Sequence, residues 1–382
     1  MAIRPKASAR ETAPMWPPAF AGLLPTDVKD LVPGFVSRPS RAFSTPLHDT
    51  AAVIDEVPRA ALKREIDALP SGQRLVDSGC FHVYWARAEQ IRRVLQEIGR
   101  LRELTFRAVG EGSGKSADID IFDSYYLQMF VWDTRANAIV GAYRLGLVDK
   151  IIAHCGKRGL YTHTLFRYRG RILDALNPAI ELGRSFVRAE YQRSFAPMLL
   201  LWCGIARFVE RSPQYAVLFG PVSISNSYSS VSRQLMVEYL SAYRAEARFV
   251  SQVTPRRPYR GQTRVSASGA GGPTPGTIDE LSRMIAKIEP DHKGLPVLLR
   301  QYLRLGGRIL AFNLDREFRN ALDGLVMVDL RRMEPALLAR YMGRSGTIAF
   351  RAYHALDSDS NRAQLSLVAR EVIEGGPPES GT

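Results

Sequence analysis

The chain has 382 residues, of which 46% are hydrophobic, so it can bury a full core in one large domain or two. Its net charge of +14 favours an acidic partner, namely nucleic acid, an anionic lipid surface or an acidic carrier protein, although a generally arginine-rich protein carries the same excess. The three cysteines lack CxxC spacing, which argues against a disulfide framework and against a zinc site. The sequence shows no signal pattern and no long apolar run, so we expect a cytoplasmic protein without a membrane span.

The first 70 residues predict little packed structure. They are rich in proline and show no sustained hydrophobic period, so we expect residues 1–70 to be a disordered or loosely docked extension. A helix from Ala51 to Leu69, interrupted at Pro58, is the element expected there.

Between residues 74 and 148 the pattern predicts one strand, one helix and two further strands. The first strand runs from Arg74 to Ala86, and the helix from Arg87 to about Val109 has one apolar face. After a glycine-rich loop, the strands Tyr125–Trp132 and Ala138–Val148 are joined by a tight turn.

The rest of the chain is organised around residues 179–229. A strand from Ile180 to Val187 precedes a helix that opens at Pro197, and Tyr215–Ile224 forms the next strand. Such a β-α-β unit is typical of a parallel, buried strand pair. Because Gly220-Pro221 interrupts the second strand, we expect unpaired backbone amides there that can hold a thioester carbonyl.

The remaining elements predict a second run of helices and strands. Residues 250–276 are basic, rich in proline and glycine, and expected to form a flexible loop. Thr277 and Glu280 form a capping box for a helix that reaches Glu289. The other expected elements are helices at Tyr228–Tyr243, from Pro296 and at Pro335–Tyr341, and strands at Arg308–Leu314 and Leu325–Leu330.

Short strands alternating with helices predict an α/β fold, with a mixed central sheet flanked by helices and a C-terminal α/β extension. The expected division is a core over residues 71–249, the basic loop over 250–276, a C-terminal part of the same domain over 277–350 and a polar tail over 351–382.

Charged residues recur where buried sheet is expected. They are Arg102, Asp118, Asp120, Asp123, Arg144, Glu181 and Arg184. Burying them without partners would be very unfavourable, so they either form an ion-pair network between the first helix and the sheet or line a wet cleft. Such a cleft suits a zwitterion such as an amino acid, because carboxylates bind an ammonium group and arginines bind a carboxylate.

These residues carry a family resemblance. Residues 74–345 resemble the GNAT N-acyltransferases that depend on acyl carrier protein, above all the ornithine N-acyltransferases of ornithine-lipid synthesis and the related haemolysin-like proteins. The matching segments are Glu97–Gly112, Asp118–Asp123, Ile139–Gly146, Gly159–Phe166, Glu181–Val187, Leu218–Ser225 and Arg300–Ile309.

A more distant likeness is to the acyl-homoserine-lactone synthases. Their helix motif matches Leu101-Arg102-x-x-x-Phe106, and their acidic motif matches Asp118 to Asp123. Their strand arginine matches Arg144, and their Glu-x-Ser-Arg matches Glu181 to Arg184 with Gly183 in place of serine. Because their tryptophan spacing is absent, lactone synthesis is not expected.

The loop before Pro197 departs from members of this fold that use acetyl-CoA. Those members carry a glycine-rich loop whose amides bind pyrophosphate at a helix N-terminus. Here the loop reads Gln192-Arg193-Ser194-Phe195-Ala196-Pro197, and proline offers no N–H. This departure favours the phosphopantetheine thioester of an acidic acyl carrier protein as donor over acyl-CoA.

The resemblance implies an N-acyltransferase of aminolipid synthesis, one that moves a long, 3-hydroxylated acyl chain from acyl carrier protein to the amine of an amino acid, first of all ornithine. Glu181 would be the general base, directly or through water. Asp120 and Asp123 would position the ammonium. Arg144 and Arg184 would hold a carboxylate or brace the acids, and Arg102 would pair with Asp120 or Asp123.

The other expected site residues surround these. Asp118 and Ser185 would contact the acceptor, and backbone amides near residues 186–188 would hold the oxyanion. The residues expected along the acyl chain or pantetheine are Phe186, Val187, Arg188, Gln192, Arg193, Phe219 and Gly220. No metal and no permanently bound cofactor is expected.

Two alternatives remain open. The acceptor would be another amine or a lysolipid hydroxyl, or the chain would be a non-enzymatic protein that binds an anionic membrane through residues 251–264. Nucleic acid is not expected, because Tyr259 is the only aromatic residue among these arginines. Peripheral docking on the inner face of the cell membrane, and docking of a separate O-acyltransferase on residues 1–70, are accessory expectations.

Overall fold

The computed structural model describes residues 50–192, 196–261 and 275–356. Within these ranges the helices are α1 (Arg59–Asp67), α2 (Arg92–Ala108), α3 (Val148–Cys155), α4 (Thr162–Leu165), α5 (Ile172–Leu176), α6 (Ala196–Arg211), α7 (Ser230–Tyr243), α8 (Ala247–Val250), α9 (Ile278–Ile288), α10 (Val297–Arg304) and α11 (Pro335–Tyr353). The strands are β1 (Arg74–Ser78), β2 (Phe81–Ala86), β3 (Leu127–Asp133), β4 (Ala138–Leu147), β5 (Phe166–Tyr168), β6 (Ala179–Val187), β7 (Val217–Ile224), β8 (Val253–Pro255), β9 (Arg308–Asp315) and β10 (Ala321–Asp329).

Eight of these strands form one mixed sheet in the order β1-β2-β3-β4-β6-β7-β10-β9. All neighbours are antiparallel except β6 and β7, which are parallel because α6 crosses over between them. The predicted α/β class, the mixed sheet and the parallel β-α-β unit are confirmed. Strands β5 and β8 form a separate two-stranded sheet.

The parallel pair β6 and β7 separates soon after it begins. Its register covers only Ala179 to Glu181 against Val217 to Phe219. At the next position a Cβ on Gly220 would overlap the carbonyl oxygen of Leu182, so only glycine permits this approach. Pro221 follows and has no N–H to donate, and the two strands then diverge. The sheet therefore has a gap between its two central strands.

The core occupies both faces of the sheet. On one face, apolar side chains of β3, including Met129 and Val131, pack with α6, α7 and α9 to α11. The alternate residues Phe130 and Trp132 pack with α1 and α2 on the opposite face. This second face also carries α3, α4, α5 and α8, which pack over the start of β6. Period-two alternation along the strands thus supplies apolar side chains to both layers.

Several predicted boundaries are wrong. Residues 74–86 form two strands, because Gly79 turns the chain with φ of +61° into the antiparallel hairpin of β1 and β2. The last helix reaches Tyr353 instead of ending at Tyr341, with an interruption at Gly343 where φ is +78°. The strand predicted from Leu325 begins at Ala321, so it includes Asp323.

Two segments predicted as loose are partly packed. Helix α1 begins directly after Pro58 and buries Leu62 and Ile66 against the core that contains α2. Within the basic loop, β8 pairs with β5. Residues 1–49, 262–274 and 357–382 lie outside the described ranges.

Candidate active site

Arg102 lies in a buried ion-pair network between α2 and the sheet. Its Nη1 donates to Asp123 Oδ1 at 2.8 Å and its Nη2 to Gln128 Oε1 at 2.7 Å, and none of its surface is exposed. Burial opposes ionisation of Asp123, but the guanidinium groups of Arg102 and Arg144 outweigh it and hold the pKa of Asp123 well below its usual range. The predicted pairing of Arg102 is confirmed, with Asp123 as its partner.

Two further arginines extend this network to β6. Arg144 on β4 donates to Asp120 Oδ1 at 2.6 Å. Arg184 on β6 lies 3.0 Å from Asp118 Oδ2 and 3.2 Å from Asp120 Oδ2. Three arginines thus face three carboxylates, so the network is close to neutral by itself.

The ion-pair alternative therefore describes most of these charged residues. Both oxygens of Asp123 accept hydrogen bonds from the protein, which leaves neither open for an ammonium group. The side chain of Asp120 is 17% exposed, so its role as an ammonium ligand stays a prediction. Ser185, also predicted to contact the acceptor, lines the cavity described below.

Glu181 holds a turn of the chain against β6. Its Oε1 accepts from the Thr162 amide at 2.6 Å, and its Oε2 accepts from the Tyr161 amide at 3.2 Å and from the Tyr126 hydroxyl. Burial raises the pKa of Glu181, and these donors oppose that rise. Both oxygens are occupied, so the geometry supports a positioning role, and its role as general base stays a prediction.

We expect Glu181→Gln to lower the free energy of unfolding by about 2–3 kcal/mol, because a glutamine amide would face a backbone N–H donor inside the core. Chemical denaturation of the purified protein measures this loss. Glu190→Gln is the matched control, since Glu190 lies on the exposed segment after the same strand and should change stability little. Equal stability of the two variants would contradict the holding role of Glu181.

A cavity of about 150 Å³ lies where β6 and β7 diverge. It is lined by residues from α2 and the loop after it, from α10, from β6, β7, β9 and β10, from the turn between β9 and β10, and from the turn that Glu181 holds. These residues are Phe106, Glu111, Tyr161, Arg184, Ser185, Pro221, Val222, Ser223, Leu298, Asp315, Phe318 and Asp323. The cavity therefore reaches the backbone at the strand separation, and Glu181 is not among its lining residues.

Three acidic residues of this cavity were not predicted as site residues from the sequence. Glu111, Asp315 and Asp323 are between 3% and 9% exposed. Asp323 accepts from the Ser223 hydroxyl at 2.7 Å and Asp315 from the Tyr161 hydroxyl at 3.3 Å. Burial is the first cause that raises the pKa of each, to about 7 for Glu111 and well above the usual value for Asp323. An aspartate inside the apolar strand ALDGLVMVD was the signal that could have revealed Asp323.

Arg184 forms the cationic wall of the same cavity. Its guanidinium carbon lies 4.7 Å from the Tyr161 ring centroid and 4.4 Å from that of Phe318, so two aromatic rings fix its position. Its φ of +51° accompanies a register irregularity between β4 and β6. Because the charge of Arg184 is already matched by Asp118 and Asp120, it leaves the three acids of the cavity without a cation of their own.

The residues predicted along the acyl chain or pantetheine lie near the end of β6 and on β7. Phe186 and Phe219 are buried in the core, and Val187 is 9% exposed. Arg188 pairs with Glu190. Gln192 donates to the Val187 carbonyl at 2.7 Å, and Gly220 marks the strand separation. Arg193 lies outside the described residues, and the acyl-binding roles stay predictions.

The comparisons with known proteins agree with this architecture. Residues 101–202 match the family model described as an acetyltransferase (GNAT) domain. A glycine N(alpha)-acyltransferase of Phocaeicola vulgatus is 31% identical over 222 residues, which are 55% of this chain and 67% of that protein. One of Bacteroides thetaiotaomicron is 32% identical over 202 residues, which are 50% of this chain and 60% of that protein.

The matched residues run from the second half of α2 to the middle of α6, so they contain the ion-pair network, Glu181 and the end of β6 where the strands part. Its fold, the gap in the sheet and the similarity to two acyltransferases point to the same chemistry, acyl transfer to an amine. The chain belongs to the GNAT N-acyltransferase family and is an acyltransferase.

Proposed function

We propose that this enzyme moves a long, 3-hydroxylated acyl chain from acyl carrier protein to the amine of an amino acid, with ornithine as the first candidate. The observation that carries the proposal is the carboxylate-rich cavity at the separation of β6 and β7. Glu111, Asp315 and Asp323 line it beside Arg184, whose charge is already matched. A cationic acceptor would favour the ionised form of these acids on binding and would then pair with them.

The charge balance distinguishes between amino-acid acceptors. Glycine carries one ammonium and one carboxylate, so it adds no net charge to the cavity. Ornithine carries a second ammonium and adds one positive charge. A buried carboxylate gains most from a cation within a few ångströms, because the surroundings screen the attraction weakly. Ornithine therefore fits better than the glycine named for the two relatives.

The start of α6 and the net charge of the chain support acyl carrier protein as the acyl donor. Helix α6 begins at Ala196 with Pro197 as its second residue, so its first turn lacks one of the N–H groups that would hold a pyrophosphate. An acyl carrier protein brings phosphopantetheine without a nucleotide, and its acidity complements the net charge of +14. Acyl-CoA remains the less favoured donor.

Backbone geometry near the end of β6 suits an oxyanion. The Arg188 amide donates to the Val140 carbonyl of β4 at 2.8 Å. Successive amides of a strand point to opposite sides, so the Val187 amide points away from β4, toward the gap. We propose that this amide polarises the thioester carbonyl while the acceptor amine attacks its carbon.

Anionic membrane docking is proposed as an accessory property. Arg167, Arg256, Arg257 and Arg260 are exposed on or beside β5 and β8. Such a group of basic side chains attracts an anionic surface, where a lipid product would be released. In the part of the chain that the structure describes, no helix is long and apolar enough to cross a bilayer.

The test combines the purified enzyme with 3-hydroxyacyl carrier protein or the matching acyl-CoA, and with ornithine, lysine or glycine as acceptor. Mass spectrometry of the products identifies both the acyl chain and the acceptor. We expect N-acylornithine from the carrier-protein thioester. Acylglycine alone would overturn the ornithine assignment. Binding to anionic liposomes without any acyl product, from folded protein, would favour the non-enzymatic alternative.

A further inference from the structure

Glu111 is placed in the cavity by the way α2 ends. Gly110 adopts φ of +78° and its amide donates to the Arg107 carbonyl at 3.0 Å, while the Glu111 amide donates to the Phe106 carbonyl at 2.7 Å. These two bonds form a Schellman motif, in which the left-handed glycine turns the chain back across the helix end. Glu111 therefore leaves α2 in a defined direction.

The loop after Glu111 is also fixed to α2, by close packing and by hydrogen bonds. A Cβ on Gly112 would overlap Arg107 Cγ, so this glycine permits close packing against α2. The carboxylate of Glu103 then accepts from the Ser113 amide at 3.1 Å and from the Gly114 amide at 2.8 Å. Both sides of Glu111 are thus fixed to the same helix, and its position is built into the fold.

The carboxylate of Glu111 differs from the other acids of the cavity in its lack of a partner. Glu111 is 9% exposed. Among the residues that the structure describes, none donates a hydrogen bond to its carboxylate or forms an ion pair with it. Asp323 and Asp315 each accept a hydroxyl hydrogen bond, and Glu181 accepts three hydrogen bonds. The Glu111 carboxylate therefore opens into the cavity, where it is placed to meet a polar group that arrives with the substrate.

We propose that Glu111, in place of Glu181, is the catalytic base that deprotonates the acceptor's ammonium group, an inference that rests on the proposed function. Asp315 and Asp323 then hold the second ammonium of a cationic acceptor. These two residues, Arg184 and Tyr161 are the titratable or charged side chains that, among the described residues, line the cavity with Glu111.

The proposed acyl transfer needs only the amine, the thioester and water as the final proton acceptor. One ammonium proton passes to the Glu111 carboxylate, and the freed nitrogen lone pair attacks the thioester carbon. The C–N bond forms and the C–S bond breaks. The second nitrogen proton leaves with the sulfur, so the products are the amide and the acyl carrier protein with a free phosphopantetheine thiol. Glu111 finally returns its proton to water.

The ionisation of Glu111 agrees with this role. Burial first, and then the charge of Asp315, raise the pKa of Glu111 to about 7. A base works best when its pKa lies near the working pH, because it is then both ionised and able to hold the proton. Below pH 7 most of Glu111 is protonated, so activity should rise as the pH passes upward through this value.

The experiment measures kcat/KM for ornithine between pH 5.5 and 10 in the wild type and in Glu111→Gln. We expect the wild-type value to rise up to about pH 7 and then level off. At pH 7 we expect Glu111→Gln to lose about 10²–10⁴-fold, a typical contribution of a general base. The variant must use amine that is already deprotonated, so its activity should keep rising with pH and the gap should narrow above pH 9.

Two further variants separate a catalytic role from a structural one. Glu111→Asp keeps a carboxylate and should retain a levelling profile at reduced rate. Asp323→Asn makes the same chemical change on a neighbouring acid, and we expect it to raise KM for ornithine while the profile still levels off. Thermal unfolding of each variant checks that it is folded.

The outcomes also separate this inference from the proposed function. A folded Glu111→Gln variant with the wild-type profile and rate would overturn the role of Glu111 while leaving N-acylation in place. A wild-type enzyme that acylates only glycine would overturn the ornithine assignment, and the same pH comparison made with glycine would still test Glu111. A wild-type enzyme that acylates no amine would overturn both proposals.

Discussion

Arg102→Met is expected to destabilise the protein by about 3–5 kcal/mol, because it leaves the buried Asp123 carboxylate without its closest cation. Methionine fills a similar volume but donates no hydrogen bond. Asp123 would keep Arg144 at 3.4 Å, and Gln128 would lose the donor to its carbonyl oxygen. A change of this size is a large share of the stability of an ordinary domain. Urea denaturation, followed by circular dichroism and by fluorescence, measures it.

The matched control is Arg92→Met on the same helix. Arg92 is exposed in the first turn of α2, so losing its charge should change the free energy of unfolding by less than about 0.5 kcal/mol. If Arg102→Met were as stable as Arg92→Met, the ion-pair network would not be holding α2 to the sheet. The acids of the network would then have to be reconsidered as ligands of the substrate.

Gly220→Ala is expected to cost about 3 kcal/mol or more and to abolish most of the activity. The added methyl would overlap the Leu182 carbonyl oxygen and lie 3.0 Å from the carbonyl carbon, and both atoms belong to the backbone of the central strand. Backbone atoms inside a paired strand cannot move away cheaply, so β6 and β7 would be pushed apart. The proposed oxyanion site at Val187 lies on the displaced strand.

Gly183→Ala provides the control for this prediction. Gly183 is on β6, next to Leu182, and a Cβ there would meet no atom within 4 Å. We expect a thermal midpoint close to that of the wild type for Gly183→Ala, and a fall of several degrees for Gly220→Ala. Normal acyl transfer by a folded Gly220→Ala variant would show that the separation of the strands is not needed for activity.

The sequence by itself determined the elements and their class. Short apolar segments bounded by turn residues predicted β3, β4, β6 and β7, and Pro197 correctly placed the start of α6 because proline is tolerated in a first helical turn. The capping box at Thr277 and Glu280 is present as expected. These signals are local, so they can be recognised without knowing which other parts of the chain pack nearby. The resemblance to the GNAT family came from local segments as well.

The sequence also selected the charged residues but could not assign their partners. Arg102, Arg144 and Arg184 come from a helix and two strands, and they meet Asp118, Asp120 and Asp123 because the segment before β3 packs beside α2, where the Asp118 amide donates to the Gly99 carbonyl. Whether such a set forms a closed ion-pair network or an open binding cleft depends on distances of a few ångströms. The pattern of charges therefore predicted a cluster, and the ion pairs within it followed from the packing.

Only the tertiary structure decided where the cavity acids meet. Glu111 follows α2, whereas Asp315 ends β9 and Asp323 lies within β10. Most of the domain therefore lies between Glu111 and the two aspartates along the chain. Each is an isolated carboxylate in the sequence, and no spacing relates them. They come together because β10 pairs with β7 and because α2 ends over the gap between β6 and β7. Burial in that shared cavity, which no local pattern encodes, is what raises their pKa values.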